Sequence, residues 1–177
     1  MKTRMSIHLL AAVCLLAAIP AYSAGGGGSD DTVVKCRKGH VWDKIQKKCV
    51  EPKQGLLDDE SIYEAGQALA RAERYDEAIA VLSLASNKSD PRILNFLGFS
   101  HRKQGRLIVG IGYYEEAIRI DPNYALVREY YGEAHLQRGD LAAAKEQLAV
   151  IETLCGTACE EYLDLSGEIK EFEQRKG

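Results

Sequence analysis

LGFSHRKQGRLIVGIGYYEEAIRIDP, residues 97–122, holds two apolar, helix-forming stretches broken at Gly105, restarted, and stopped at Pro122. A glycine inside a helix costs about 1 kcal/mol relative to alanine, and proline cannot continue one. A single long helix therefore gives no reason for this punctuation. The stretch reads instead as helix, tight turn, helix, stop, and the same spacing is found on both sides of it.

Gly66, Gly98 and Gly132 recur at intervals of 32 and 34 residues, and the small residues Ala78, Gly110 and Ala144 follow them at a constant distance of twelve. The middle copy runs Leu94, Leu97, Gly98, His101, Gly110, Tyr114, Ala117 and Pro122. The first runs Ile62, Ala65, Gly66, Leu69, Ala78, Leu82 and Ala85, and the third Tyr131, Gly132, His135, Ala144, Leu148 and Ile151. Small residues at these places remove bulk where the two helices of a unit cross, so large neighbours can interlock. The turns in RAERYDEA, KQGRLIVG and QRGDLAAA are short enough to make antiparallel helical hairpins.

This pattern, over residues 59–156, resembles the tetratricopeptide repeat, whose 34-residue unit is two antiparallel helices. The resemblance implies an all-α fold: three helical hairpins in a short right-handed solenoid over residues 54–156. Such an array must seal its last apolar face. Residues 157–177 carry Tyr162, Leu165, Ile169 and Phe172 at helical spacing and are expected to be a C-terminal capping helix. Thr157 and Glu160 form a capping-box pattern that places its start near Ala158.

Before the repeats the composition changes. Lys2 and Arg4 precede the apolar run of residues 7–23, which is too short to span a membrane and ends in small residues; residues 1–23 are predicted to be a cleaved signal peptide, taking Cys14 with them. Export to the periplasm or beyond follows as an expectation, with no integral membrane segment after cleavage. Residues 24–35 read as a flexible Gly-rich linker, and residues 36–53 as a basic loop closed by Cys36 and Cys49. Residues 24–53 carry seven Lys/Arg against four Asp/Glu, whereas residues 54–177 carry fourteen against twenty-two. A basic arm thus precedes an acidic body, which allows envelope association through the loop. Trp42, amid its lysines, is expected to pack on the repeat body.

Four cysteines in an oxidising compartment favour disulfides. Three pairings are open, and sequence proximity favours Cys36 with Cys49 and Cys155 with Cys159. The first would close a loop of fourteen residues, worth about 3 kcal/mol of chain entropy; the second would pin the entry of the capping helix. No Ser, His and Asp set, phosphate loop or paired zinc motif occurs, so neither catalysis, a cofactor nor a resident metal is expected. His101 and His135 are read as packing residues.

In the resembled family the first helices line a concave face that meets ligands. The corresponding residues here include Tyr63, Gln67, Asn95, Phe99, Arg102, Lys103, Glu129, Glu133 and Gln137. Some members grip a C-terminal carboxylate with Lys and Asn in the first unit and Lys and Arg in the third. This chain has Tyr63 and Gln67, then Glu129 and Glu133, which points to a protein or peptide with a basic stretch near the third unit and a polar or apolar one near Phe99. The expected function is non-enzymatic protein binding or scaffolding, without nucleic acid. The alternative is a periplasmic thiol-redox or copper-handling factor using Cys155 and Cys159.

Overall fold

The structure, a computed structural model, describes residues 36–43, 45–53 and 55–176, leaving aside the Lys176 side chain. The expected signal peptide, the linker of residues 24–35 and Lys44 lie outside the described residues. After a two-stranded antiparallel hairpin, β1 (Val41–Asp43) and β2 (Lys48–Val50), come seven helices among the described residues. These are α1 (Asp59–Arg71), α2 (Tyr75–Leu82), α3 (Pro91–Lys103), α4 (Leu107–Ile120), α5 (Ala125–Gln137), α6 (Leu141–Cys155) and α7 (Glu160–Lys176). Each helix packs on the next. The first helices of successive hairpins also touch, α1 with α3 and α3 with α5, while α7 packs on both α5 and α6. No helix among the described residues is long and apolar enough to cross a membrane.

The backbone repeats closely. α1, α3 and α5 each have thirteen residues, and Gly66, Gly98 and Gly132 are the eighth of each. Ala78, Gly110 and Ala144 are each the fourth residue of the following helix. Three residues connect the helices of every pair, and the middle one has a left-handed φ: Glu73 at 60°, Gly105 at 79° and Gly139 at 82°. Each turn closes alike, with backbone N–H groups donating from Arg74 to Leu69, Arg106 to His101 and Asp140 to His135 at 2.9–3.0 Å. This is a Schellman-type closure that satisfies carbonyls at a helix end. Glycine enters the left-handed region freely; Glu73 does so against its Cβ.

Close approach also explains the in-helix glycines, though with three different partners. A Cβ on Gly98 would lie 2.6 Å from the Tyr114 ring and 3.0 Å from the Gly110 carbonyl, and one on Gly66 would meet Leu82 at 2.3 Å. Both are contacts within a hairpin, as the spacing predicts. At Gly132 the neighbour is Leu165 of α7, at 2.5 Å, rather than Leu148 of its own hairpin. The third glycine is therefore small for the sake of the capping helix. That helix begins at Glu160, not near Ala158: the Cys159 carbonyl accepts its first bond, from Leu163 N–H, at 3.1 Å. Its apolar stripe, Leu165, Ile169 and Phe172, is buried with Leu136, Ala144 and Ile151.

The basic loop is not a free arm, for its residues 36–43 and 45–53 dock on the first hairpin. Val41 is wholly buried in the same core as Ile62, Leu69 and Val81, and Trp42 packs half-buried against it. Gly39 N–H donates to Glu77 of α2 at 2.6 Å. Arg74 donates to the same carboxylate through Nε and Nη2 at 2.9 and 2.8 Å, and this pairing above all holds the Glu77 carboxyl down at about 2. Cys36 and Cys49 are bonded with Cα atoms 5.6 Å apart, and Cys155 and Cys159 with Cα atoms 5.9 Å apart. Both distances lie within ordinary disulfide reach.

Candidate protein-binding face

The surface built by α1, α3 and α5 carries a row of aromatic rings. Tyr63 on α1 meets Phe96 on α3 with centroids 6.0 Å apart, Phe96 meets Phe99 at 6.2 Å, and Phe99 meets Tyr130 on α5 at 4.9 Å. Tyr75, from the start of α2, adds an edge against Phe99 at 6.1 Å. Phe96 is fully buried, while Tyr63, Phe99 and Tyr130 are half-buried and keep an edge towards solvent. Cations lie over these rings: Arg92 is 4.5 Å from the Tyr63 centroid, Arg102 5.6 Å and Lys103 5.3 Å from that of Phe99. Such contacts hold long side chains against an apolar surface. Burial pushes the Tyr63 and Tyr130 phenols above their ordinary value, so both stay protonated and able to donate.

The residues expected to face a ligand divide into two groups. Tyr63, Gln67, Phe99 and Glu133 are partly exposed, and Lys103 and Gln137 are exposed, with Gln67 Nε2 donating to the Tyr63 hydroxyl at 2.8 Å. Asn95, Arg102 and Glu129 are instead buried, at 0%, 3% and 5% exposure. Asn95 is in the middle helix, flanked by α1 and α5, where its amide atoms make no hydrogen bond of standard geometry with the described residues. Arg102 reaches back across its own hairpin, Nε donating to the Tyr114 hydroxyl at 3.1 Å, and across to α5, with Nη2 2.7 Å from Glu133. Two residues expected to meet a partner separately thus satisfy each other; among the described residues Arg102 Nη1 has no hydrogen-bonding partner.

Glu129 is covered because α7 lies on α5. Burial comes first among the causes that push its carboxyl up to about 8, followed by the neighbouring charges of Glu133, Asp164, Glu161 and Glu160. Like charge in low-dielectric surroundings favours the neutral acid. At neutral pH, Glu129 is mostly a protonated donor inside an acidic rim, so the pair of free carboxylates expected from the sequence becomes one neutral group and one that is ion-paired.

Tyr130 is absent from the sequence-derived set although it carries a signal: it follows Phe96 by 34 residues, the repeat length. Arg92 and Tyr75 lie outside the family's ligand positions, and nothing in the spacing marks them. His101 and His135 do not converge. His101 Nδ1 accepts from Arg106 Nε at 2.8 Å and its ring stacks on Tyr113 at 5.4 Å; His135 packs on Tyr131 at 4.2 Å. Burial lowers the pKa of both, which favours neutral rings.

Comparison with known proteins points the same way as the repeat geometry. No curated protein matches the sequence. Among solved structures, the type III secretion chaperone SycD of Yersinia enterocolitica, in complex with a peptide of the translocator YopD, is 21% identical with a TM-score of 0.56, covering 67% of this chain and 94% of that one. The TPR2B domain of yeast Sti1, in its complex with pHsp70, is 16% identical with a TM-score of 0.59, covering 66% and 97%. The first TPR of Spaghetti (RPAP3), bound to the HSP90 peptide SRMEEVD, is 17% identical with a TM-score of 0.57, covering 68% and 96%. These likenesses concern the fold. A family model described as tetratricopeptide repeat matches residues 63–125 and 97–153. With three hairpins in register and that match spanning just over half its length, the chain belongs to the tetratricopeptide repeat family.

Proposed function

We propose that the protein is a non-enzymatic binding module that holds an extended segment of a partner protein along the face of α1, α3 and α5. The observation that carries this reading is the row Tyr63, Phe96, Phe99 and Tyr130, which crosses all three first helices with polar edges on either side. Partly exposed aromatic rings supply contact area with little rotamer entropy to lose. The acidic end, formed by Glu133 with Glu160, Glu161 and Asp164 of α7, suits a cationic group of the partner. Complexes with peptides in the structural neighbours support the same use of the fold.

Export of the protein to the periplasm is part of this proposal. It is supported by the charged start and apolar residues 7–23, and by cysteines placed as two bonded pairs. The test is crosslinked capture of partners from the native cell envelope by wild type, Phe99→Ala and Glu129→Gln, with Gly112→Ala as a control for the helix surface. Loss of one specific partner by Phe99→Ala, but not by the control, is expected. Equal capture by wild type and Phe99→Ala would remove this face as the binding surface.

A further inference from the structure

We propose that reduction of the Cys155–Cys159 bond converts the junction of α6 and α7 into a binding site for a divalent d-block cation of the Zn2+ type, held by both thiolates and Glu161. The sequence shows only two sulfur ligands there. Folding brings in a third: the two Sγ atoms and a Glu161 carboxylate oxygen all lie within 4.8 Å of one another. An ion with metal–sulfur and metal–oxygen distances of about 2.0–2.3 Å needs side-chain movements of only about 1 Å to engage all three.

The helices that carry the site are held by more than the disulfide. Cys155 is the last residue of α6, followed by Gly156 at φ 80°, and Cys159 supplies the carbonyl that opens α7. Both helices are fixed by the buried side chains of Ile151, Leu165 and Ile169. Cys155 is exposed, so a reductant can reach the bond, and Cys159 and Glu161 are half-buried.

The donor set selects the ion. Two soft thiolates and one hard carboxylate match borderline Zn2+ better than Cu(I), which favours soft ligands alone. Three protein ligands leave a fourth tetrahedral position to water or another molecule. Glu160 and Asp164, also in the first turns of α7, make the local field negative and raise the cation concentration.

Opening of the bond is a thiol–disulfide exchange. An external dithiol attacks one sulfur, the S–S bond breaks, and the dithiol leaves as its own disulfide. Its two electrons and two protons end on Cys155 and Cys159 as thiols. Zn2+ then displaces those two protons as it binds.

The test uses the purified protein, oxidised or reduced with a dithiol that is removed anaerobically, titrated with Zn2+ against a chromophoric chelator. One Zn2+ per reduced chain and none per oxidised chain are expected. Glu161→Gln, which leaves both sulfurs and the helix packing intact, is expected to weaken binding by about tenfold or more, Cys155→Ser to abolish it, and a Cys36→Ser, Cys49→Ser chain to keep it. The proposal is overturned if reduced wild type takes up no Zn2+ or takes Cu(I) alone. Zn2+ affinity unchanged in Glu161→Gln or in Cys155→Ser overturns it equally. Glu161 also belongs to the acidic end of the α1, α3 and α5 face, but Zn2+ uptake is read on the purified protein without a partner and capture is tested at Phe99, so failure of one is distinguishable from failure of the other.

Discussion

Replacing Gly98 by alanine tests the contact on which the middle hairpin depends. The added methyl carbon would sit 2.6 and 2.8 Å from two ring carbons of Tyr114 and 3.0 Å from the Gly110 carbonyl oxygen. Neither neighbour can yield cheaply. Tyr114 is wholly buried and its hydroxyl is held by Arg102, itself paired with Glu133, so tilting the ring disturbs a chain of three residues. The carbonyl belongs to the helix backbone. Overpacking of this kind costs about 1–3 kcal/mol, and alanine returns about 1 kcal/mol of helix propensity, leaving a net loss of about 0–2 kcal/mol. Leucine at the same place is expected to lose about 2–4 kcal/mol. Gly112, also helical, faces open space among the described residues where its Cβ would be, so Gly112→Ala is expected to gain about 0.5–1 kcal/mol. Urea unfolding followed by far-ultraviolet circular dichroism reads both. If Gly98→Leu is as stable as wild type, or Gly98→Ala gains stability as Gly112→Ala does, the close crossing of α3 and α4 is wrong.

Glu73→Gly is expected to raise stability by about 0.5 kcal/mol, since it relieves the left-handed φ of 60° that Gly105 and Gly139 adopt freely; a lower thermal midpoint would mean the three turns are not equivalent. Glu129 has a folded pKa of about 8, above its ordinary value of 4.5, so the native state holds the extra proton and stability should fall as pH rises through that interval. Glu129→Gln should flatten this slope, and an unchanged pH profile in urea unfolding would show that the group is solvated. Glu77 is the reverse case. Its carboxyl is held at about 2, so its contribution is present above the ordinary value of 4.5 and fades as pH falls towards 2. Glu77→Gln should speed proteolytic cleavage within residues 36–53, and cleavage at the wild-type rate would separate this contact from docking of the β-hairpin.

What is legible in the sequence is whatever repeats. The hairpins, their tight turns and the glycines can be read because identical local demands recur at a fixed spacing, and one unit checks another. Features that occur once leave no such trace. Docking of residues 36–53 depends on Val41 entering the first core and on Gly39 meeting Glu77, 38 residues away, and neither is periodic. Trp42 stands out as the single tryptophan, yet the smaller Val41 beside it is the residue that is wholly buried. The burial of Glu129 and the partner of Gly132 both follow from the seat of α7 on α5, which a periodic pattern cannot reveal. Arg102 reads as a ligand contact because its position in the unit faces inward; its actual partners, Tyr114 and Glu133, lie on two other helices.

The insertion of Leu165 over Gly132 bears on what limits the length of the helical array. Within the array every hairpin leaves an apolar flank for the next one, and the flank carries no mark of which chain should cover it. A protein ending at residue 156 would leave Ala144 and Ile151 in water and offer them to any similar surface nearby. Head-to-tail association through such a flank would then be favoured, and α7 blocks it at this end of the array by covering the flank with its own side chains.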